Sequence, residues 1–227
     1  MKLLFCRHGD PNYELDCLTE KGHVEAEKLA ELLKDVPIDR IYISPQGRAQ
    51  QTAAYTLRAK KMSGETVPLL HEFEYGIPDP VDGRMRNTWE YLWDYMPGTA
   101  SDPRFYHPDE WRNMEIFHGS AMPENYDKVM EVFDGILARH GVERTENGYR
   151  MESDTGETIA IFSHQGVATA IFSHLLHLSP LPLFYHVYIQ PSSVTILDTE
   201  PCHNGVRFVM RAWGALEHLN AIKNGLI

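Results

Sequence analysis

The chain has 227 residues, of which 43% are apolar and 23% charged, and this composition is typical of a globular protein with a substantial buried core. Its 32 acidic residues outnumber its 21 basic ones, and the net charge of −11 disfavours binding to nucleic acids and to anionic membrane surfaces. An anionic ligand therefore needs a local pocket of positive charge.

The cysteines and the apolar segments predict a soluble, cytoplasmic protein. Cys6, Cys17 and Cys202 are odd in number and show no C-x-x-C spacing, which favours a reducing compartment. After Met1 the chain enters a strand-like run directly, without the pattern of a signal peptide. No apolar stretch approaches the ~20 residues of a membrane span, so we expect no membrane association.

Strand and helix patterns alternate along the chain. Apolar, β-branched runs predict strands, and apolar residues at helical spacing predict helices. In chain order we predict a strand over Lys2–Cys6, a helix from Thr19 to about Lys34, a strand over Arg40–Ser44, a helix opened by Ser44 and Pro45, a strand over Val67–His71, a helix over about Glu124–His140, a strand over Glu157–Phe162, a helix over Val167–His177, and two late apolar runs over Tyr188–Leu197 and Val206–Trp213. This order predicts a single α/β domain with a mainly parallel central sheet.

The alternation is interrupted between residue 76 and about residue 125. This stretch is rich in proline and turn residues, and it holds most of the tryptophans. We interpret it as an insertion within one domain spanning residues 1–227, with short helices of its own, lying over the carboxyl ends of the strands. Its aromatic residues either form a lid over the site or pack the insertion on itself, and we favour packing; they are Trp89, Tyr91, Trp93 and Tyr95.

Four basic side chains fall where predicted strands end. Arg7 and His8 end the first strand, Arg48 lies in the first turn of the second helix, and His164 separates a late strand from a helix. In a parallel α/β sheet these junctions share one edge. A cation beside a helix N-terminus is unfavourable by up to ~1 kcal/mol unless an anion is present, and phosphate suits both guanidinium groups and helix N–H groups. The pattern therefore predicts a phosphate pocket.

In several short motifs the chain resembles the histidine phosphatase superfamily, which includes the cofactor-dependent phosphoglycerate mutases. The resemblance covers about residues 1–76 and 157–200. The motifs that carry it are Arg7-His8-Gly9, Leu18-Thr19-x-x-Gly22, Ser44-Pro45-x-x-Arg48-Ala49-x-x-Thr52-Ala53, Glu72 four residues before Gly76, and Ser163-His164. The resemblance implies a three-layer α/β/α sandwich of the phosphoglycerate mutase type.

The resemblance also implies the catalytic roles. His8 is the nucleophile that becomes phosphorylated, Arg7, Arg48 and His164 hold the phosphoryl oxygens, and Glu72 stands where the family places its proton donor. The chemistry is physically sound, because a neutral imidazole is a good nucleophile near pH 7 and its phosphoramidate is labile to water. Positioning and charge neutralisation suffice for such a transfer, so we expect no metal and no organic cofactor.

The proton donor leaves one alternative open. Glu74 lies two residues after Glu72 and shares its face if the segment is extended, although we favour Glu72. A carboxyl group sheltered by the insertion is expected to have a raised pKa, which suits a group that donates a proton near pH 7.

Other positions depart from the family pattern. Asp10 and Pro11 follow the Arg-His-Gly triplet, where many relatives carry an acidic and a hydroxyl residue. Gln165 replaces a usual glycine and either offers its amide to the substrate or caps the helix. Arg84 and Arg86 either bind a second acidic group of the substrate or form a solvated charged turn.

Three functions remain open. The first is a phosphatase acting on a small phosphorylated substrate. The second is a phosphoglycerate mutase that uses the same pocket, which is disfavoured because Ile77-Pro78-Asp79 replaces the usual Trp-Glu-Gly. The third is a catalytically silent phosphate-binding module. The sequence indicates neither the physiological substrate nor the oligomeric state.

Overall fold

The structure, a computed structural model, describes residues 1–146 and 148–219. Six helices and twelve strands make up its regular elements. In chain order they are β1 (Lys2–Arg7), β2 (Pro11–Asn12), β3 (Cys17–Leu18), α1 (Glu20–Leu33), β4 (Arg40–Ile43), α2 (Gly47–Lys60), β5 (Glu65–Thr66), β6 (Gly76–Pro78), β7 (Met85–Asn87), α3 (Thr88–Thr99), α4 (Met122–Arg139), β8 (Val142–Thr145), β9 (Gly148–Met151), β10 (Thr158–Ser163), α5 (Gln165–Leu175), α6 (Pro180–His186), β11 (Val194–Cys202) and β12 (Gly205–Ala215).

Eight of these strands form one mixed sheet, in the order β5-β4-β10-β1-β11-β12-β9-β8. The first four of that order are parallel to one another, and the remaining pairs are antiparallel. Arg7 at the end of β1 is in register with Ser163 at the end of β10. The parallel half therefore brings the carboxyl ends of four strands to one edge, as the α/β prediction requires, and that prediction is confirmed.

Alternate residues of β1 belong to two separate cores. Leu4 and Cys6 pack in a cluster with Leu29 of α1 and with residues of α2. Phe5 points to the opposite face, where its ring meets Phe172 of α5 edge to face at 4.7 Å. Because successive side chains of a strand alternate between faces, one apolar run can fill both cores. Helices on both faces give the three layers expected from the sequence.

Local signals explain where α1 begins. The hydroxyl oxygen of Thr19 accepts a hydrogen bond from the N–H of Gly22 at 3.1 Å, as predicted for an N-cap. A Cβ atom on Gly22 would lie 2.2 Å from the carbonyl oxygen of Asp10, so only glycine allows this close approach. The cap and the glycine fix the helix against the loop that follows β1.

Three boundary predictions were wrong. The N-cap of α2 is Gln46, two residues after the predicted Ser44. No strand forms over the predicted range Val67–His71. The two-residue β5 ends just before it, and Pro68–Leu70 form a 3₁₀ turn, because proline cannot donate a hydrogen bond to a strand ladder. The late apolar runs form an antiparallel hairpin of β11 and β12 rather than continuing the helix-strand alternation.

The segment interpreted as an insertion folds into the β6-β7 hairpin, α3 and three 3₁₀ turns. Trp111 is fully buried and meets Tyr126 of α4 edge to face at 5.2 Å, which joins this segment to the main core. Trp93, in contrast, is exposed. Tyr91 is buried and Tyr95 packs against the same core, so these two tyrosines pack the segment as expected, whereas Trp89 also reaches the site, as described below. Among the residues described, no helix is both long and apolar enough to cross a membrane.

Candidate active site

The structure brings the four predicted basic residues together at the carboxyl edge of the parallel strands. Arg7 and His8 come from the end of β1, Arg48 is the second residue of α2, and His164 is the N-cap of α5. All four side chains are buried. The His8 and His164 rings lie with their centroids 5.1 Å apart, and the N–H of His8 bonds to the carbonyl oxygen of Ser163 at 3.0 Å.

The ring of His8 is held in one tautomer. Its Nδ1 atom lies 2.8 Å from the carbonyl oxygen of Gly9, and because a carbonyl only accepts hydrogen bonds, Nδ1 carries the proton. The lone pair of the neutral ring is then on Nε2. That nitrogen is buried and has no hydrogen-bond partner among the residues described. His8 therefore presents a nucleophilic nitrogen to the cluster.

The two guanidinium groups are anchored on one side and free on the other. Arg7 donates through Nη1 to the carbonyl oxygen of Ile189 and, at 3.0 Å, to Gln165. Arg48 donates through Nη1 to Asp16 at 2.6 Å. The Nε atom of Arg7 and the Nε and Nη2 atoms of Arg48 are buried without a partner in the described part of the chain. Each such donor costs about 1 to 3 kcal/mol, which an anionic ligand would offset.

Burial keeps both imidazoles neutral. Burial first, and then the positive charge of Arg7, lower the pKa of His8 from its ordinary 6.5 to about 3. The pKa of His164 is lowered as well, first by burial, then by the His8 ring where that ring is protonated, and by the charges of Arg48 and Arg7. At pH 7 the two rings are therefore uncharged, the state in which one can act as a nucleophile.

His164 is oriented by Ser44 at the end of β4. Its Nε2 atom lies 2.6 Å from the hydroxyl oxygen of Ser44, and that oxygen accepts a hydrogen bond from the N–H of Gln46 at 3.2 Å. The Nδ1 atom of His164 is buried and has no partner among the described residues. The same ring thus has one nitrogen fixed by the scaffold and one available to a ligand.

The carboxylate of Glu72 contacts the N-terminus of α5, whereas Glu74 is exposed. The Oε1 atom of Glu72 accepts hydrogen bonds from the N–H groups of Gly166 at 2.8 Å and Val167 at 3.2 Å. Burial nevertheless raises the pKa of its carboxyl group, against the opposing effect of the N–H group of Phe73, the charge of Arg7, the N–H group of Val167 and the charge of Arg48. Of the two candidate proton donors, Glu72 is the one that the fold brings to the cluster.

The insertion reaches this carboxyl group through Trp89. A Cβ atom on Gly166 would lie 2.6 Å from Cζ3 of the Trp89 ring and 2.7 Å from Oε1 of Glu72. The ring edge and the carboxylate therefore occupy the space that a side chain at position 166 would need, which is why this residue is glycine. This contact shields Glu72 on the side of the insertion.

Gln165 and the two insertion arginines have other partners. The amide oxygen of Gln165 accepts from Arg7, and its amide nitrogen donates to the carbonyl oxygen of Val187 at 3.2 Å, so the side chain braces Arg7 instead of capping α5. Arg86 pairs with Asp79 and Asp94, at 3.2 and 2.7 Å. The side chain of Arg84 is 86% exposed beside Asp82. These contacts do not bring Arg84 or Arg86 to the cluster of four basic residues.

One residue missed by the sequence reasoning is Asp16. Besides Arg48, its carboxylate accepts the N–H of Gly47 at 2.6 Å, at the start of α2. Its backbone has a positive φ of 46°, a conformation that aspartate tolerates better than most residues. A Cβ atom on Gly47 would lie 2.2 Å from the carbonyl oxygen of Asp16. The glycine immediately before Arg48 was the available signal, because glycine at a helix start indicates a close approach of backbone.

Comparison with known proteins agrees with this geometry. A family model described as the histidine phosphatase superfamily (branch 1) matches residues 3–212. An adenosylcobalamin/alpha-ribazole phosphatase of Salmonella typhimurium is 27% identical over 209 residues, covering 87% of this chain and 90% of that protein. The corresponding phosphatase of Escherichia coli K12 is 24% identical over 207 residues, covering 87% and 90%.

Solved structures share the fold. The mycobacterial glucosyl-3-phosphoglycerate phosphatase superposes with a TM-score of 0.62 at 18% identity, covering 95% of this chain and 99% of that one. The phosphoserine phosphatase of Entamoeba histolytica, solved with 3-phosphoglyceric acid, gives a TM-score of 0.63 at 19% identity, covering 96% and 98%. The family model spans nearly the whole chain, and the resemblance noted in the motifs is thereby confirmed: the chain belongs to the histidine phosphatase superfamily.

Proposed function

We propose that this protein is a phosphatase that hydrolyses phosphate monoesters of small molecules through a phosphohistidine on His8. The observation that carries the proposal is the buried Nε2 atom of His8, which bears a lone pair and lies in a cluster with unpartnered N–H donors of Arg7 and Arg48. The names of the relatives support phosphatase action, since each of those described above is a phosphatase.

In the first step, Nε2 of His8 attacks phosphorus as the bond to the ester oxygen breaks. Charge on the three non-bridging oxygens is neutralised by Arg7, Arg48 and His164. For His164 to donate, its proton must be on Nδ1. The contact with Ser44 favours this tautomer, because Ser44 already accepts from the N–H of Gln46 and can give its own proton to Nε2.

The departing alkoxide receives its proton from Glu72. A carboxyl group with a raised pKa keeps a larger protonated fraction near neutral pH, which suits a general acid. In the second step the resulting carboxylate takes a proton from water as the water oxygen attacks phosphorus. The phosphorus–nitrogen bond breaks, phosphate leaves, and neutral His8 and protonated Glu72 are restored.

The nucleophile is tested with His8→Ala, with His203→Ala as the control because His203 is an exposed histidine on the β11-β12 turn. We expect His8→Ala to lose turnover and the acid-labile phosphoenzyme, and the control to keep both. Activity within tenfold of wild type in His8→Ala contradicts the assignment. Wild-type labelling without phosphate release would indicate a mutase, and phosphate binding without labelling would indicate a silent binding module.

The proton donor is tested with Glu72→Gln, with Glu74→Gln as a matched control two residues away. General acid catalysis contributes about 10²- to 10⁴-fold, so we expect a loss of that order on an alkyl phosphate and a much smaller loss on p-nitrophenyl phosphate, whose leaving group scarcely needs a proton. Equal losses on both substrates, or a larger effect in the control variant, would reassign the acid.

We also propose that the enzyme acts in the cytoplasm and that residues 1–227 work as one domain. The three cysteines are unpaired, as a reducing compartment favours. The insertion shares its hydrophobic core with the main sheet, as the packing of Trp111 on Tyr126 illustrates, which supports a single folding unit.

A further inference from the structure

We propose that the natural substrate has an uncharged leaving group carrying a flat aromatic ring, which packs against Tyr13 and Tyr188; this inference rests on the proposed function and narrows its substrate class. Both tyrosines remain exposed beside a buried site, at 65% and 57%. Exposed rings at the edge of a polar pocket are typical of ligand-binding surfaces.

Tyr13 lies on the loop between β2 and β3, where it touches two residues of the site. The centroid of its ring is 5.3 Å from Cζ of the Arg48 guanidinium. The ring also meets His8 edge to face, with centroids 6.4 Å apart and an interplanar angle of 87°. The tyrosine is thus held against the residues proposed to act on the phosphoryl group, while most of its surface remains open to a ligand.

Tyr188 occupies the equivalent place beside the other arginine. Its ring centroid is 5.3 Å from Cζ of Arg7. The residues on both sides of it are fixed, because Ile189 accepts a hydrogen bond from Arg7 and Val187 accepts one from Gln165. The backbone that carries the ring is therefore preorganised, and preorganised contacts lose little entropy when a ligand binds.

The two rings lie on the two arginines that hold the same phosphoryl group in the proposed mechanism. A leaving group attached to that phosphoryl group therefore begins beside both rings. A flat ring can stack on or meet either tyrosine edge to face, whereas a puckered alkyl ring cannot use these geometries.

The charges around the pocket disfavour a second acidic group on the substrate. Glu14 and Asp16 lie on the loop that carries Tyr13, and Asp10 lies just before β2. Glu14 is exposed, Asp16 is paired with Arg48, and Asp10 is paired with Lys21. A carboxylate on the leaving group would meet negative charge there.

The arginines of the insertion offer no compensation for such a charge. Arg86 is bound by two carboxylates, and Arg84 extends into solvent beside Asp82. A substrate with a second acidic group would therefore gain no cation from these two arginines.

The test compares benzyl, cyclohexylmethyl and 4-carboxybenzyl phosphate, which all release primary alcohols and so differ little in intrinsic reactivity. We expect kcat/KM for benzyl phosphate to exceed that for cyclohexylmethyl phosphate by about two- to tenfold, the range of aromatic pair energies. Tyr13→Leu and Tyr188→Leu should bring this ratio towards one, and Tyr13→Phe should retain it. Tyr106→Leu removes a ring that is equally exposed, at 57%, from the insertion and should leave the ratio unchanged.

Equal rates on the flat and puckered substrates overturn the inference, as does a ratio that neither leucine variant changes or a preference for 4-carboxybenzyl phosphate. Calorimetric binding of benzyl and cyclohexylmethyl phosphate to His8→Ala gives a readout independent of turnover. If wild type hydrolyses all three esters without preference, only this inference fails. If wild type hydrolyses none but His8→Ala still binds benzyl phosphate more tightly, the proposed reaction fails and the aromatic subsite is retained.

Discussion

The neutral state of His8 has a measurable consequence for stability in acid. The structure lowers the pKa of this imidazole from 6.5 to about 3, chiefly through burial and through the adjacent Arg7. As the pH falls below 6.5 the unfolded chain binds a proton that the folded protein does not. The stability that His8 contributes is therefore complete above pH 6.5 and is lost as the pH falls towards about 3.

The magnitude follows from the shift. Below pH 6.5 the unfolded chain is stabilised by protonation of this imidazole, by about 1.4 kcal/mol for each pH unit. Between pH ~7.5 and ~4.5 the free energy of unfolding of wild type therefore falls by about 2 to 3 kcal/mol because of His8 alone. His8→Asn removes the titrating ring while its amide can still donate to the carbonyl oxygen of Gly9. We expect the free energy of unfolding of the variant to fall by that much less over the same interval.

The assay is urea unfolding followed by tryptophan fluorescence at both pH values. Buffers without phosphate or sulfate are required, because an anion bound by Arg7 and Arg48 would add its own pH dependence. Titrating groups that do not interact with His8 are common to both proteins and cancel in the difference. If wild type and His8→Asn lose the same free energy between the two pH values, His8 is not held neutral by its surroundings and the argument for its reactivity is wrong.

Three further outcomes are expected. Inorganic phosphate at about 100 times its Kd should raise the free energy of unfolding of wild type by about 2.7 kcal/mol in thermal or urea titrations, and a much smaller rise is expected at the same concentration in Arg48→Met. Asp16→Asn should raise KM for a small phosphate monoester several-fold in steady-state kinetics, because the carboxylate that fixes Arg48 is lost; an unchanged KM would show that Asp16 does not position it. Gly166→Ala should cost about 1 to 3 kcal/mol in urea unfolding, because the new Cβ would lie 2.7 Å from a Glu72 oxygen, whereas Gly135→Ala, with no atom within 4 Å of its Cβ, should be neutral or stabilising by up to ~1 kcal/mol.

Local interactions made part of the fold predictable. The hydroxyl group of Thr19 caps α1 within three residues of itself, and the alternating side chains of β1 follow from the geometry of a single strand. Arg48 was correctly placed in the first turn of α2 for the same reason. Errors arose where a boundary depends on the partner strand, as for the short β5 before Pro68.

The site divides in a similar way. His8 and Arg7 could be identified from one short motif at a strand end, but the contact between Asp16 and Arg48 joins a loop residue to a helix residue 32 positions later. The partners of Gln165 could not be predicted from the sequence either, because they depend on how the segment after α6 returns to the sheet. Such contacts depend on tertiary packing, which no local pattern of residue types encodes.

The meeting of Trp89 with Gly166 has a consequence for how relatives of this chain can diverge. In the segment over residues 76–125, the edge of the Trp89 indole lies close to Glu72, the proposed proton donor, and it fits there because Gly166 has no side chain. A chimera that exchanges this whole segment between two phosphatases should therefore keep its hydrolytic rate if the new segment places a flat ring edge next to Gly166, as Trp89 does here. The same exchange can still change which leaving-group alcohols the substrate-binding site accommodates.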